Sequence, residues 1–148
     1  MKSVILSFAA LILVIAAYVV YQNLSLPSAK IDGHSFKLLI AKTEKERQTG
    51  LSKYKSLPQD EAMVFIFDKS GNYSFWMKDM KFPIDIIFTN EGKIVTIYNN
   101  IPNPKNSSEN LPIYSPTQST NKVLEINAGL SKKYNFKVGE KVEFNNLQ

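Results

Sequence analysis

Apolar and polar positions divide this chain into two parts that follow different rules. From position 4 to position 21, eighteen successive residues carry no charge, and Ser7 is the one clearly polar side chain among them. As a helix rising about 1.5 Å per residue this run is about 27 Å long, close to a bilayer hydrocarbon core of about 30 Å. Tyr18 and Tyr21 fall where an aromatic belt belongs, and Lys2 with the terminal amine marks the cytoplasmic end. The pattern predicts an N-terminal transmembrane helix over residues 1–23 with the rest of the chain on the far side of the membrane. A secretory signal is the alternative, but its apolar centre spans only about 7–15 residues and ends in small residues. Leu26-Pro27-Ser28-Ala29 meets that requirement poorly. An uncleaved anchor makes this a single-pass cell-membrane protein, whereas cleavage would leave it secreted or periplasmic.

Beyond the polar stretch 24–30, read as a tether, the period changes from helical to two. Short runs rich in β-branched and aromatic residues, bounded by turn residues, predict strands at 35–41, 62–68, 73–78, 84–89, 93–98, 122–127 and 140–144. Lys69-Ser70-Gly71-Asn72 and Asn90-Glu91-Gly92 predict two hairpin turns. In Met63-Val64-Phe65-Ile66-Phe67 both faces are apolar, which predicts a central strand. Thr43-Glu44-Lys45-Glu46 is a capping box that starts a short helix ended by Gly50, and 130–135 predicts a second helix with Leu130 and Tyr134 on one face. Residues 99–120 hold several prolines, asparagines and serines and predict a long irregular loop. The expected domain, residues 31–148, is mainly β (α+β): a small antiparallel sandwich or barrel-like domain with two short helices.

Composition then narrows the chemistry. A chain of 148 residues, 44% hydrophobic and 21% charged, has the profile of one globular domain. Cysteine is absent, which excludes disulfides, thiolate metal sites and cysteine nucleophiles. His34 is the one histidine and follows the Asp32-Gly33 turn, so zinc sites and serine–histidine triads lack their usual parts. The net charge of +5 is spread over scattered lysines without a dense arm or stripe, so no nucleic-acid partner is expected. No cofactor or metal is expected either; Met77 and Met80 have the spacing for a soft cuprous site, but thioethers without histidine or cysteine are ordinarily core filler.

Six residues stand out as candidate binding positions: Arg47, Trp76, Lys78, Asp79, Asp85 and Glu125. Arg47 is the only arginine among eighteen basic residues, and its planar fork suits a carboxylate or several backbone carbonyls. Asp85 lies within an apolar run and needs a partner, which makes an Arg47–Asp85 ion pair the expected arrangement, with Glu125 as second choice. Trp76, Lys78 and Asp79 come where a predicted strand ends, and the indole suits stacking on a sugar or other ring. A catalytic pair drawn from Asp79, Asp85 and Glu125 is the alternative, as glycoside hydrolysis requires two carboxylates at a set separation.

The blocks Glu46-Arg47-Gln48-Thr49-Gly50-Leu51, Phe75-Trp76-Met77-Lys78-Asp79, Pro83-Ile84-Asp85-Ile86-Ile87-Phe88, Val123-Leu124-Glu125 and Val138-Gly139-Glu140-Lys141-Val142 occur in this order. Together they resemble the domain of unknown function 192 family over about residues 36–144, with departures at Ser52, Ala62, Asp79 and Met80. The resemblance implies a small β-rich domain, commonly exported or membrane-anchored in prokaryotes. The expectation is a membrane-anchored, extracytoplasmic module that binds a small ligand, an envelope polymer or a partner protein and is not an enzyme. A hydrolase of cell-envelope material is the alternative.

Overall fold

The computed structural model of the chain describes residues 2–105 and 111–147, with no side-chain description at 2–7 and 22–25. Helix α1, Lys2–Ser25, is followed by seven strands, β1 (Ser28–Ile31), β2 (His34–Ala41), β3 (Glu61–Gly71), β4 (Ile84–Asn90), β5 (Lys93–Ile101), β6 (Thr120–Asn127) and β7 (Val142–Asn145). Helix α2 (Glu44–Thr49) and a 3₁₀ turn (Gly50–Lys53) lie between β2 and β3, and α3 (Leu130–Lys133) lies between β6 and β7. Among the described residues no helix is long and apolar enough to cross a membrane.

All seven strands form one sheet in the order β5-β4-β6-β3-β2-β1-β7. Its two ends curl toward each other. The Ile94 amide donates to the Glu140 carbonyl at 2.9 Å and the Val142 amide to that of Gly92 at 2.8 Å, so β5 meets the segment leading into β7. The result is a half-barrel with a core on each face. Val64, Ile87, Leu124 and Ile126 point into the inner core with Ala29, Ile31 and Phe36. Met63, Phe65, Ile86, Phe88 and Val123 point outward into a second core with Leu51, Met77, Met80 and Phe82. Alternate side chains of a strand serve opposite faces, and here both faces are covered. That is why β3 is apolar at every position from Ala62 to Phe67 and β4 is buried from Ile84 to Thr89, and β3 is central, as the pattern Met63 to Phe67 predicts.

The local devices form where their chemistry places them. Thr43 caps α2: its hydroxyl accepts from the Glu46 amide, while the Glu46 carboxylate accepts from the Thr43 amide at 2.8 Å. Accepting the Thr43 amide and also that of Lys42 at 3.0 Å holds the Glu46 carboxyl below its ordinary range. The β4–β5 hairpin turns on Glu91 and Gly92, both at positive φ (48° and 73°), the twist that a two-residue hairpin loop requires.

Three expectations need correction. Residues 73–78 do not form a strand with 62–68; β3 instead continues to Gly71, and the following segment makes an isolated β-bridge between Phe75 and Tyr114. The proline-rich segment there supplies the pairing partner, and residues 106–110 within the predicted 99–120 loop lie outside the described residues. Part of the predicted tether is β1, paired with both β2 and β7. The sheet is not wholly antiparallel, because β2 and β3 run parallel. A parallel neighbour demands a crossover of a dozen or more residues, and residues 42–60, containing α2, provide it.

Candidate functional site

The crossover and the segment after β3 cover the outer face of the sheet only in part. Between them lies a cleft of about 670 Å³, lined among others by Arg47 of α2, Phe65 and Phe67 of β3, Trp76, Lys78 and Glu125 of β6. Four of the six candidate residues therefore share one concavity, carried by elements distant in sequence. The volume is that of a small-molecule site.

Its walls are aromatic. Phe67 and Tyr73 stack with ring centroids 3.6 Å apart, and Phe75 meets Phe65 edge-on at 4.9 Å. The Arg47 guanidinium lies 5.1 Å from the Phe67 ring centroid. One of its terminal nitrogens, Nη1, donates to the Lys42 carbonyl and, at 3.1 Å, to that of Ile66. Arginine is thus used here as a clamp between the start of the crossover and β3, a geometry that lysine's single ammonium cannot reproduce. Trp76 stands at the rim, 57% exposed, with the Lys78 ammonium 5.5 Å from its ring centroid. Trp76 and Lys78 are exposed while Met77 between them is buried, so the alternation expected for 75–78 persists without a strand.

The floor is apolar except for one group. Leu51, Phe65 and Met80 are buried there beside Glu125, which is only 5% exposed. Glu125 faces outward because it alternates with Leu124 and Ile126 of the inner core. Its Oε2 has no hydrogen-bond partner among the described residues. Burial pushes its carboxyl up to about 8, so near neutral pH the group is mostly a protonated acid. It is both a donor and an acceptor in that form.

Asp85 belongs elsewhere. It is wholly buried, and its register partner is Ile126 while Glu125 pairs with Ile86, so Asp85 and Glu125 point to opposite faces of the sheet. Asp85 Oδ1 accepts from the amides of Asn100 at 2.7 Å and Gly129 at 2.8 Å, and Oδ2 accepts from the Ser131 amide at 2.8 Å. The expected Arg47–Asp85 ion pair is therefore absent: backbone amides, not a guanidinium, satisfy the buried carboxylate. The acceptors hold two residues at positive φ, Asn100 (53°) and Gly129 (82°), at the ends of β5 and β6. Asp79 is exposed, at φ 58° in the turn closed by the Met80 amide on the Met77 carbonyl, and does not line the cleft. Asp79, Asp85 and Glu125 thus do not converge as a catalytic pair. His34 is an exposed residue after its turn, stacked on Tyr134 with centroids 3.8 Å apart. Among the described residues no group of three or more His, Cys, Asp or Glu side chains is placed to hold a metal.

Tyr73, Phe67 and Leu51 were not singled out by sequence, since aromatic and aliphatic residues of a core and of a cleft wall look alike in a string. A family model, that of DUF192 and described as an uncharacterized ACR, matches residues 27–144. The chain belongs to the DUF192 family. Two solved structures share the fold. A protein of unknown function from Novosphingobium aromaticivorans DSM 12444 is 28% identical with a TM-score of 0.70, the match covering 80% of this chain and 83% of that one. A protein from Sinorhizobium meliloti 1021 named as a candidate transcription regulator is 25% identical with a TM-score of 0.69, covering 80% and 91%. No curated protein matches the chain significantly. The DUF192 blocks recognised in the sequence are spread around the molecule: Arg47 to Leu51 with Phe75, Trp76 and Lys78 border the cleft, Glu125 is its floor, and Asp85 is the staple beneath the opposite face.

Proposed function

We propose that this DUF192 protein is a membrane-tethered binding module whose cleft takes up a small, ring-bearing ligand on the extracytoplasmic side, without turning it over. The cleft carries the reading: an exposed indole at the rim, aromatic walls and a buried acid at the floor meet in one concavity. That combination of apolar surface with a few placed polar groups is the makeup of ligand sites. Non-turnover is favoured by the opposite facing of Asp85 and Glu125, which leaves Glu125 without the second carboxylate of a hydrolytic pair.

Tethering rests on the uncharged run at 4–21, which lies within α1, a 24-residue helix. Its length matches a bilayer core. A protein retained with membranes after alkaline carbonate extraction, with a protease-accessible C-terminal domain outside the cytoplasm, is the expected behaviour; recovery of the intact chain in the soluble cytosol would refute it. For the cleft, the test is a screen of water-soluble ring fragments against the full chain in detergent, followed by NMR. Shifts should concentrate at Arg47, Phe67, Tyr73, Trp76 and Glu125 and vanish in Trp76→Ala. Fragments that bind nowhere, or equally over the whole surface, would overturn the binding reading.

A further inference from the structure

Glu125 is a buried polar group with an unmet hydrogen-bonding capacity at the floor of the cleft, which it shares with buried Leu51, Phe65 and Met80. Leaving such a group unpaired is costly, and a ligand that completes it gains what the fold has left open. We propose that the cleft is a subsite for an N-acetylated sugar, the acetamido group seated against Glu125 and the sugar ring laid on Trp76. This rests on the binding reading above and names the ligand class for it.

Three observations select that chemistry. The first is the protonation of Glu125, whose carboxyl is pushed to about 8 by burial and so offers one O–H and one C=O at neutral pH. A trans secondary amide turns its C=O and N–H in opposite directions, so the match is one hydrogen bond, the acid O–H donating to the acetamido C=O. The second is the surroundings of Glu125: Leu51, Phe65 and Met80 give an apolar seat of the kind an acetyl methyl fills. The third is Trp76, 57% exposed at the rim, with the Lys78 ammonium 5.5 Å from its ring centroid, so a sugar ring against the free part of the indole has a donor for its hydroxyls beside it.

The charges facing the cleft argue against an organic cation. Glu44 and Arg47 border it from α2, Asp68 and Lys69 from β3, and Lys78 from the segment after β3. Arg47 and Lys78 already lie over Phe67 and Trp76, the rings that a ligand cation would seek.

The test is calorimetric titration of the full chain, in a detergent without a sugar headgroup, at pH 7 and pH 9.5. The ligands are the trimer of N-acetylglucosamine, its deacetylated counterpart, a glucose trimer and N-acetylglycinamide. Binding of the acetylated trimer alone is expected. Glu125→Gln keeps a donor and an acceptor and should bind at both pH values, whereas the parent protein should weaken at pH 9.5 as the acid ionises. Glu125→Leu, which keeps the floor apolar, should lose at least about tenfold in affinity, with its fold verified by NMR. Equal binding of the deacetylated or glucose trimer, or full binding by Glu125→Leu, would overturn the proposal. So would comparable binding of N-acetylglycinamide, which would make a peptide amide the occupant. If ring fragments occupy the cleft but the acetylated trimer does not, the sugar assignment fails while the binding reading stands; if neither binds, both fail.

Discussion

Replacing Asp85 tests whether one buried carboxylate holds the inner end of the half-barrel together. Its two oxygens accept three backbone hydrogens, from Asn100, Gly129 and Ser131, at 2.7 to 2.8 Å. In Asp85→Asn one oxygen becomes an amide NH₂, and that group faces an N–H whichever way the side chain is turned. With the amide oxygen at the Oδ1 position, the Ser131 hydrogen bond is lost; in the other orientation, those of Asn100 and Gly129 are lost. A buried donor left without an acceptor costs about 1–3 kcal/mol, and the remaining bonds lose the charge that shortens and strengthens them. The expected destabilisation is therefore about 2–4 kcal/mol, a large share of the roughly 5–15 kcal/mol by which a domain is stable. In a domain of this size that lowers Tm by about 10 °C. Thermal melts followed by circular dichroism give the magnitude, and hydrogen exchange gives its location: protection should fall first at the amides of Asn100, Gly129 and Ser131. Asp79→Asn is the control, since Asp79 is exposed and asparagine accepts its φ of 58°; it should change stability by less than about 0.5 kcal/mol. A Tm for Asp85→Asn within about 2 °C of the parent, with unaltered exchange at those three amides, would refute the staple.

Glu125 makes stability depend on pH. Its folded value of about 8 lies above the ordinary 4.5, so the folded chain holds a proton that the unfolded chain releases. Stability is then fully present below the unfolded value and declines as pH rises toward 8, by at most about 1.4 kcal/mol per pH unit; denaturant titrations from pH 5 to 8 should show the decline in the parent and a flatter profile in Glu125→Gln. Arg47→Lys should lower stability by about 1–2 kcal/mol, because a compact ammonium on a shorter stem cannot keep both the Lys42 and Ile66 carbonyls and the position over the Phe67 ring; a denaturation midpoint equal to the parent's would count against the clamp. Gly129→Ala should cost about 1 kcal/mol or more, since φ is +82° and the added Cβ would lie 3.2 Å from Asn100 Oδ1; pairing it with Asn100→Gly, which removes Oδ1 and tolerates the φ of 53°, separates the crowding from the backbone strain.

Short-range chemistry settled much of this molecule. Thr43 and Glu46 cap α2 because both partners lie within one turn of chain, and Glu91-Gly92 reverses the chain because two residues suffice to do so. The strands at 62–68, 84–89 and 93–98 follow from β-branched and aromatic runs, and the apolar continuity of Met63 to Phe67 already announces a strand covered on both sides. Membership of the DUF192 family was legible as well, because its blocks are linear stretches of residues.

Pairing at a distance was decided by the fold alone. The segment 73–78 has the residues of a strand, yet β3 already has β2 and β6 at its edges, so the segment crosses the face of the sheet and frames a cleft instead. Ser28–Ile31 is too short and too mixed to declare itself, and becomes β1 because β2 and β7 both present free edges to it. Asp85 and Glu125 look alike in sequence, each an acid within an apolar run. Their strands are neighbours, but a shift of one residue in register sends one carboxylate to backbone amides inside the half-barrel and the other to the floor of an open cleft. A side chain's face is a property of register, and register is fixed by strands that meet only when the sheet closes.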